Sequence, residues 1–255
     1  MKINTPISRL DFLRKAFAGA ALTPVLLQAC SQDATDISPT SSTTTGTTTG
    51  TTTGTTTTGT CTLTDTETDG PYPLYSSRGS ALQRVDIREG KTGLQLDMTF
   101  TVQNVNNNCA VLTNARVDIW YCDKDGYYSG YSNSGYLGTQ NNTTKTFLRG
   151  LQYTDTSGQV KFTGIYPGWY QGRATHMHVQ VYVDNVLKLT SQVAFPEEIN
   201  TAVYNTDLYK AHGQNSLKNS TDSILRDSLG NELATVVANA TTGGYTLTHT
   251  LVVNV

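Results

Sequence analysis

Apolar and polar residues alternate strictly over one stretch near the middle of the chain. Every second position is apolar, at Leu94, Leu96, Met98, Phe100 and Val102. Successive side chains of a β-strand point to opposite faces of the sheet. The pattern therefore predicts a strand with one buried face and one polar face.

The same period of two recurs along the rest of the chain. It occurs at 116–121 and 176–183, and further strands are predicted from Val160 to the turn at 166–168, over 187–195 and near 245–255. The pair Asp184-Asn185 between two of them predicts a hairpin turn. Helical periodicity is weak after Cys61, except around Glu197–Tyr209. These features predict an all-β domain over residues 61–255, mainly antiparallel and built as a sandwich or barrel.

The first thirty residues have the layout of a secretory signal. Basic residues at positions 2, 9, 14 and 15 precede an apolar stretch at 16–27, which ends in Leu27-Gln28-Ala29-Cys30. This ending resembles a bacterial lipobox and predicts lipidation of Cys30. A plain signal peptide with a chance cysteine is the alternative. We expect an exported, membrane-anchored lipoprotein of the bacterial cell envelope, periplasmic or on the cell surface.

Residues 31–60 have the composition of a linker. Positions 41–60 contain 14 Thr, 4 Gly and 2 Ser, with no apolar side chain. Such a segment cannot bury enough apolar surface to offset the entropy of ordering it. The sequence therefore predicts a disordered Thr/Gly-rich linker between the signal peptide and the domain.

Charge and hydropathy exclude two broad classes of function. The chain has 18 basic and 20 acidic residues, a net charge of -2, with no clustered basic face for nucleic acid. No apolar run approaches the 18 or so residues of a membrane-spanning helix. We therefore expect no nucleic-acid partner, and membrane contact only through the lipid at Cys30.

Three cysteines remain once Cys30 is assigned to lipidation. An exported domain with three cysteines is expected to form one disulfide and keep one thiol. Cys109 and Cys122 flank a predicted strand, so a bond between them requires the chain to fold back. We expect Cys61 to pair with one of these two, and the sequence does not choose between them.

The pair His176 and His178 is the first candidate for chemistry. On a strand both imidazoles point to the same face, and imidazole binds Fe, Cu, Ni or Zn. Two histidines alone more often lie on a polar strand face, where their hydrogen bonds are satisfied, than in a metal site. Tyr170 and Arg173 just upstream strengthen the case for a metal site. A phenol ionises near neutral pH only beside a strong Lewis acid such as ferric iron. In the alternative interpretation, Tyr170 is an aromatic residue in a turn and Arg173 is a solvated cation.

A second candidate is the tyrosine-rich stretch that follows the strand ending at Trp120. Its phenols are Tyr127, Tyr128, Tyr131 and Tyr136. Tyr, Ser and Gly in a loop favour an adaptable sugar- or protein-binding surface. Alternatively, one phenol is a further metal ligand. Spacing alone does not separate these two interpretations.

Motifs along the whole domain resemble one enzyme family. The most specific is 166–178, Tyr-Pro-Gly-Trp-Tyr-Gln-Gly-Arg-Ala-Thr-His-Met-His, and others lie at 69–72, 84–89, 117–120, 126–130, 148–150 and 195–196. Together they resemble the intradiol ring-cleavage dioxygenases, especially their exported single-domain branch. The resemblance implies the antiparallel β-sandwich of the intradiol dioxygenase type, here preceded by a signal peptide and a linker.

The resemblance also implies a ligand set. The positions that match the family's ligands are Tyr128, Tyr170, His176 and His178, which would hold one mononuclear Fe(III) ion. Tyr128 is preferred to Tyr127 because the family's ligand lies eight residues after the position that Trp120 matches.

Further matching positions imply substrate contacts and catalytic roles. Arg173 and Gln192 match residues that contact bound substrate and assist catalysis. Pro71 and Tyr72 match a segment that lines the mouth of the pocket. Tyr170 matches a ligand that leaves the metal and takes up a substrate proton.

The implied reaction cleaves a catechol-type ring between its two hydroxylated carbons. Both atoms of O2 enter the product, a cis,cis-muconate-type dicarboxylate, as expected of an oxidoreductase in aromatic compound catabolism. Two other readings remain open: a non-catalytic lipoprotein module that binds carbohydrate or another ligand, and a zinc domain. Two tyrosine ligands argue against zinc, whose usual ligands are Cys, His and carboxylate. The particular catechol and the oligomeric state stay open.

Overall fold

The computed structural model describes residues 60–255, and within them no side chain of residues 75–78. The predicted signal peptide (1–30), the lipidation site at Cys30 and the predicted linker (31–60, apart from Thr60) lie outside the described residues.

The described part of the chain is mostly β-structure. Its strands are β1 (Gln95–Asn104), β2 (Ala110–Val111), β3 (Arg116–Trp120), β4 (Ser132–Gly135), β5 (Gly138–Asn141), β6 (Arg149–Tyr153), β7 (Gln159–Ile165), β8 (His176–Val183), β9 (Val186–Ala194), β10 (Thr235–Asn239) and β11 (Gly244–Val253). Two short α-helices cover Glu197–Tyr204 and Leu229–Glu232. Turns of 3-10 helix cover Tyr75–Leu82, Val105–Asn107, Asn219–Thr221 and Leu225–Asp227. Among these residues, no helix has the length and apolar character needed to cross a bilayer.

The first sheet joins the two ends of the domain. Its order is β10-β11-β1, and both β7 and the short β2 pair with the other edge of β1. The pairing of β1 with β11 is parallel, whereas the other pairings in this sheet are antiparallel. Burial along β1 alternates at every residue, which confirms the predicted half-buried strand.

The second sheet is antiparallel, in the order β6-β3-β8-β9. The turn between β8 and β9 is Asp184-Asn185, with φ of 51° and 63°, the left-handed conformation that a two-residue hairpin requires. The predicted hairpin is therefore confirmed. The register places His178 between Trp120 on β3 and Gln192 on β9.

The two sheets enclose one apolar core. Leu96 and Phe100 of β1 belong to the same buried cluster as Ile119 of β3 and Met177 and Val179 of β8. Packing of both inner faces into one cluster is the arrangement of a β-sandwich. The sheets thus form the predicted sandwich. The outer face of the second sheet carries His176 and His178.

One disulfide crosses the N-terminal part of the domain. Cys61 is bonded to Cys109, and Cys122 is a buried free cysteine in the described part of the chain. The disulfide closes a sequence separation of 48 residues, and a loop of that length corresponds to about 4 kcal/mol in the chain-entropy model. The pairing that the sequence left open is thus settled in favour of Cys109.

Candidate metal centre

His176 and His178 lie side by side on the outer face of the second sheet. Met177 between them points into the core, as the alternation predicted. Both imidazoles are nevertheless buried, with 2% and 0% of their surface exposed, because loops cover this face. Their Nε2 atoms are 3.2 Å apart, so both rings present a nitrogen to the same point.

The tautomer of His176 follows from its neighbours. Its Nδ1 lies 2.7 Å from the carbonyl oxygen of Ala174, which only accepts hydrogen bonds. Nδ1 therefore carries the proton, and the Nε2 of the neutral ring keeps its lone pair. A backbone carbonyl that fixes the far nitrogen is the usual support of a metal-ligating histidine.

Tyr170 reaches the histidines from the loop between β7 and β8. Its hydroxyl oxygen is 3.3 Å from the Nε2 of His176. The loop is fixed at two points: the amide of Gly168 donates to the carbonyl of Asp123, and the indole of Trp169 donates to the carbonyl of Gly213. The phenol is therefore held on a rigid turn.

Tyr128 supplies the second phenol. Its side chain is buried, and its hydroxyl makes no hydrogen bond of ordinary geometry. Its ring centroid lies 5.8 Å from that of Tyr170 and 6.1 Å from that of His178. Tyr127 points elsewhere, because its hydroxyl donates to the carbonyl of Gly138.

A tight turn before Tyr128 sets its direction. The carboxylate of Asp123 accepts hydrogen bonds from the amides of Asp125 and Tyr127. Gly126 completes the turn with φ of 85°, and a Cβ there would lie 2.3 Å from the carbonyl oxygen of Trp169. The turn therefore requires glycine at this position.

Burial keeps all four side chains uncharged before any metal binds. It raises the pKa of Tyr128 well above its usual value, and it raises the pKa of Tyr170 to about 12 against the opposing effect of Arg173. Burial, helped by Arg173, lowers the pKa of His176 to about 3, and burial lowers that of His178 well below its usual range. The imidazoles are thus in the form that binds metals, whereas the phenols need a strong Lewis acid to ionise.

This donor set fits a ferric ion. Two neutral imidazoles, the buried phenol of Tyr128 and the partly buried phenol of Tyr170 lie together, and the phenol of Tyr128 has no other partner there. Among residues 60–255 there is no grouping of three or more His, Cys, Asp or Glu side chains of the kind that holds other metals. The candidate centre therefore rests on tyrosine oxygen as well as histidine nitrogen, a set that favours a hard ion over zinc.

Arg173 and Gln192 stand together beside the centre. The guanidinium Nη2 of Arg173 donates to Oε1 of Gln192 at 2.6 Å, and its Nη1 lies 3.5 Å from the Nε2 of His176. Gln192 in turn donates through Nε2 to the carbonyl of Thr68 at 2.8 Å. The structure thus brings both residues to the edge of the cluster, with a positive charge next to the phenols.

The segment before the first 3-10 turn covers the histidines. The ring of Tyr72 stacks on Tyr128 at 4.6 Å, and exposed Pro71 precedes it. Gly70 packs directly on His178, since a Cβ there would lie 2.6 Å from its Cε1. The predicted mouth residues are therefore next to the predicted ligands.

Three other polar residues have partners outside this cluster. Arg149 is buried and donates to the hydroxyl and carbonyl of Ser129, so it supports the Tyr128 loop. Tyr131 donates to the carbonyl of Pro73. His249 lies on β11 in the first sheet and contacts Phe100.

Sequence reasoning missed Asp222. Its carboxylate is fully buried and binds the Nε of Arg173 at 2.9 Å. It lies 49 residues from its partner and belongs to no motif that the sequence analysis singled out. A lone aspartate between two irregular segments gave no signal that would have found it.

No protein-family model and no curated protein matched the sequence. Solved structures matched the fold. An intradiol ring-cleavage dioxygenase from Tetranychus urticae superposes with a TM-score of 0.67 at 24% identity, over 76% of this chain and 95% of its own.

Two bacterial structures agree with that match. The dioxygenase domain of a dioxygenase carbohydrate-binding protein fusion from Streptomyces sp. SirexAA-E gives a TM-score of 0.56 at 24% identity, over 76% of this chain and 99% of its own. The 3-chlorocatechol 1,2-dioxygenase from Rhodococcus opacus 1CP gives 0.52 at 17% identity, over 75% of this chain and 72% of its own. These likenesses confirm the fold implied by the sequence motifs: residues 60–255 have the β-sandwich fold of the intradiol ring-cleavage dioxygenases.

Proposed function

We propose that this protein is a non-haem, Fe(III)-dependent intradiol dioxygenase. It cleaves a catechol-type ring between the two hydroxylated carbons and forms a cis,cis-muconate-type dicarboxylate. The observation that carries the proposal is the convergence of two buried imidazoles, the buried phenol of Tyr128 and the partly buried phenol of Tyr170 at the covered face of the second sheet. Similarity to solved dioxygenases in fold supports it.

Tyr128, Tyr170, His176 and His178 would hold the iron. When bound, ferric iron supplies Lewis-acid activation of a chelated catecholate. Every atom of the substrates is then accounted for, because the two oxygens of O2 become the new oxygens of the two carboxylates. No other oxidant or reductant is needed.

Arg173 stabilises negative charge that develops on the substrate ring. Its guanidinium is held on one side by Asp222 and on the other by Gln192, so it is fixed before substrate arrives. A preorganised cation in a site shielded from water is the arrangement that lowers the barrier most. Gln192 keeps its amide pointing at Arg173 by donating to the backbone of Thr68.

Tyr170 moves a substrate proton. A catechol would lose two protons on chelation: the phenolate oxygen of Tyr170 would accept one of them, and the other would pass to solvent. Burial raises the pKa of this phenol to about 12, so the proton stays on Tyr170 once the phenolate has taken it. Tyr170 suits this role better than Tyr128 because its side chain is only partly buried, whereas that of Tyr128 is buried.

A product and oxygen analysis tests the proposal. The iron-loaded protein is incubated with catechol under 18O2, and the products are separated and weighed by mass spectrometry. The proposal predicts one O2 consumed per catechol and a dicarboxylate carrying both labelled atoms. A product cleaved beside the hydroxylated carbons, or label recovered only in water, would contradict it.

We also propose that the chain is exported and anchored through lipid on Cys30. The Cys61–Cys109 disulfide supports an oxidising compartment, because such bonds form outside the reducing cytosol. Cell fractionation with Cys30→Ala tests this: the protein should move from the membrane fraction to a soluble one. Retention of the variant in the membrane fraction would contradict the anchor.

A further inference from the structure

A cleft of about 800 Å³ opens beside Tyr170 and continues away from the metal centre. Tyr72 and Tyr170 line its inner end. Pockets of roughly 300–1,000 Å³ enclose ligands much larger than one six-membered ring. Catechol bound at the centre would therefore leave most of the cleft empty.

Three stacked rings make one wall of the cleft. His212 lies between Tyr136 and Trp169, with centroids 4.1 Å from each and interplanar angles of 12° and 6°. The hydroxyl of Tyr136 donates to Asp125 at 2.7 Å, and the indole of Trp169 donates to Gly213 at 3.0 Å. Rings from three separate segments are thus locked together, so the wall is in place before any ligand arrives.

Apart from Asp125, the rest of the lining is uncharged, and most of its side chains are polar. Asn133, Ser134, Gln171 and Ser216 contribute amides and hydroxyls. The one carboxylate in the lining, Asp125, is paired with Lys124 at 2.7 Å. A charged ligand group finds no free counter-ion here, whereas hydroxyl groups find several partners.

Asn133 links this region to the metal centre. It is buried, and its Nδ2 donates to the carbonyl of Tyr128 at 3.3 Å. Its Oδ1 has no hydrogen-bond partner within the described residues. A buried acceptor left without a partner costs free energy. The Oδ1 atom is closed to solvent, so a turn of the Asn133 side chain toward the cleft is needed for a ligand hydroxyl to bind it and recover that cost.

We propose that the cleft is a subsite for an uncharged, hydroxyl-bearing substituent on the catechol. The preferred substrate is then a catechol with a polar tail, bound with its ring at the metal centre and its tail between the ring wall and the polar lining. The position of the catechol ring in this inference rests on the proposed function, whereas the position of the tail rests on the cleft alone.

The test compares catechol with a catechol that carries a neutral sugar substituent. Both are titrated anaerobically into the iron-loaded full chain by calorimetry. Ser216→Trp fills the cleft from an exposed position, and Ser220→Trp is the matched control, since Ser220 is also exposed but does not line the cleft. A third probe, the same sugar on a phenyl ring without hydroxyls, is titrated into the metal-free chain.

The sugar-bearing catechol should bind at least tenfold more tightly than catechol. Ser216→Trp should abolish that advantage and change the affinity for catechol by less than twofold, while Ser220→Trp changes neither. Equal affinities for the two catechols, or equal weakening of both by Ser216→Trp, would overturn the subsite.

The third probe separates this inference from the proposed function. If neither catechol binds at the iron but the phenyl sugar still binds in a manner that Ser216→Trp abolishes, the subsite stands and the dioxygenase assignment falls. If catechol binds and is cleaved but the sugar gives no advantage on either ring, the dioxygenase stands and the subsite falls.

Discussion

The buried carboxylate of Asp222 holds the guanidinium of Arg173. Oδ2 of Asp222 lies 2.9 Å from Nε of Arg173 and also accepts the amide of Ala174 at 2.7 Å. Its Oδ1 accepts the amides of Ile224 and Leu225. Arg173 and the hydrogen bonds from these amides lower the pKa of this carboxyl despite its burial. The ion pair therefore ties the residue beside the histidines to the segment that packs behind them.

Replacing Asp222 should damage both stability and catalysis. Asp222→Asn leaves the buried guanidinium without its counter-ion, which costs about 3 kcal/mol of unfolding free energy. Displacement of Arg173 should lower kcat by roughly 100-fold, with iron content unchanged because no ligand is altered. Urea unfolding, metal analysis and steady-state kinetics measure the three quantities.

An exposed ion pair provides the control for that variant. Asp207 pairs with Lys210 on the surface, and Asp207→Asn should change the free energy of unfolding by less than about 1 kcal/mol. If Asp222→Asn behaves like Asp207→Asn in stability and kinetics, the positioning role of Asp222 is wrong.

Gly70 should be irreplaceable because of His178. Gly70→Ala places a methyl group 2.6 Å from the Cε1 of His178, at a φ of 69°. Gly90→Ala is the matched control, since Gly90 has a φ of 76° and nothing within 4 Å of the added Cβ. Both variants bear the backbone cost of about 1 kcal/mol, but only Gly70→Ala should also weaken iron binding. Equal iron affinity in the two variants would show that Gly70 does not position His178.

Glu232 should make stability depend on pH. Its carboxyl group is buried and accepts hydrogen bonds from the hydroxyls of Ser191 at 2.8 Å and Ser228 at 2.5 Å. These hydrogen bonds favour the charged form, but burial outweighs them and raises the pKa of Glu232 to about 7.

The sign of the pH effect follows from that raised pKa. Between about pH 4.5 and 7 the folded state holds a proton that the unfolded state has lost, so stability falls as the pH rises. The total loss is on the order of 3 kcal/mol. Glu232→Gln should flatten this slope in urea-unfolding curves, whereas Glu198→Gln, at an exposed position, should retain it. A slope unchanged in Glu232→Gln would refute this source of the pH dependence.

The two kinds of proposed ligand should respond differently to substitution. His178→Ala removes a donor fixed within a strand and should abolish iron binding. Tyr170→Phe leaves three donors and should retain iron, but it removes the acceptor for a substrate proton and should slow catechol binding at least tenfold. Stopped-flow mixing and metal analysis check both, with Tyr153→Phe, at the exposed end of β6, as the control. Full iron content in His178→Ala would overturn the ligand assignment.

The local pattern of the sequence predicted six of the strands, β1, β3, β7, β8, β9 and β11, and missed β2, β4, β5, β6 and β10. Alternation of apolar and polar residues predicted β1, β3 and β8, and the pair Asp184-Asn185 predicted the turn, because both signals lie within a few neighbouring residues. The same alternation predicted that His176 and His178 share a face. It did not predict their burial, which depends on loops packed on that face.

What the sequence did not predict depends on distant pairings. The parallel pairing of β1 with β11 joins residues about 150 positions apart, as in Thr101 and Thr250, and periodicity within either strand contains no information about the partner. The ion pair from Arg173 to Asp222 and the ring stack around His212 are also contacts between separate segments. The resemblance to a known family predicted the four candidate ligands, but it did not predict these contacts between separate segments.

The visible spectrum of the iron-loaded protein tests the central claim most directly. Iron held by Tyr128 and Tyr170 should give a phenolate-to-iron charge-transfer band, and anaerobic addition of catechol should shift it. That result would establish ferric iron, tyrosine ligation and substrate chelation together. If the protein contains bound iron but stays colourless before and after catechol is added, tyrosine does not ligate the iron. That result would contradict the proposed dioxygenase activity and favour a ligand-binding module.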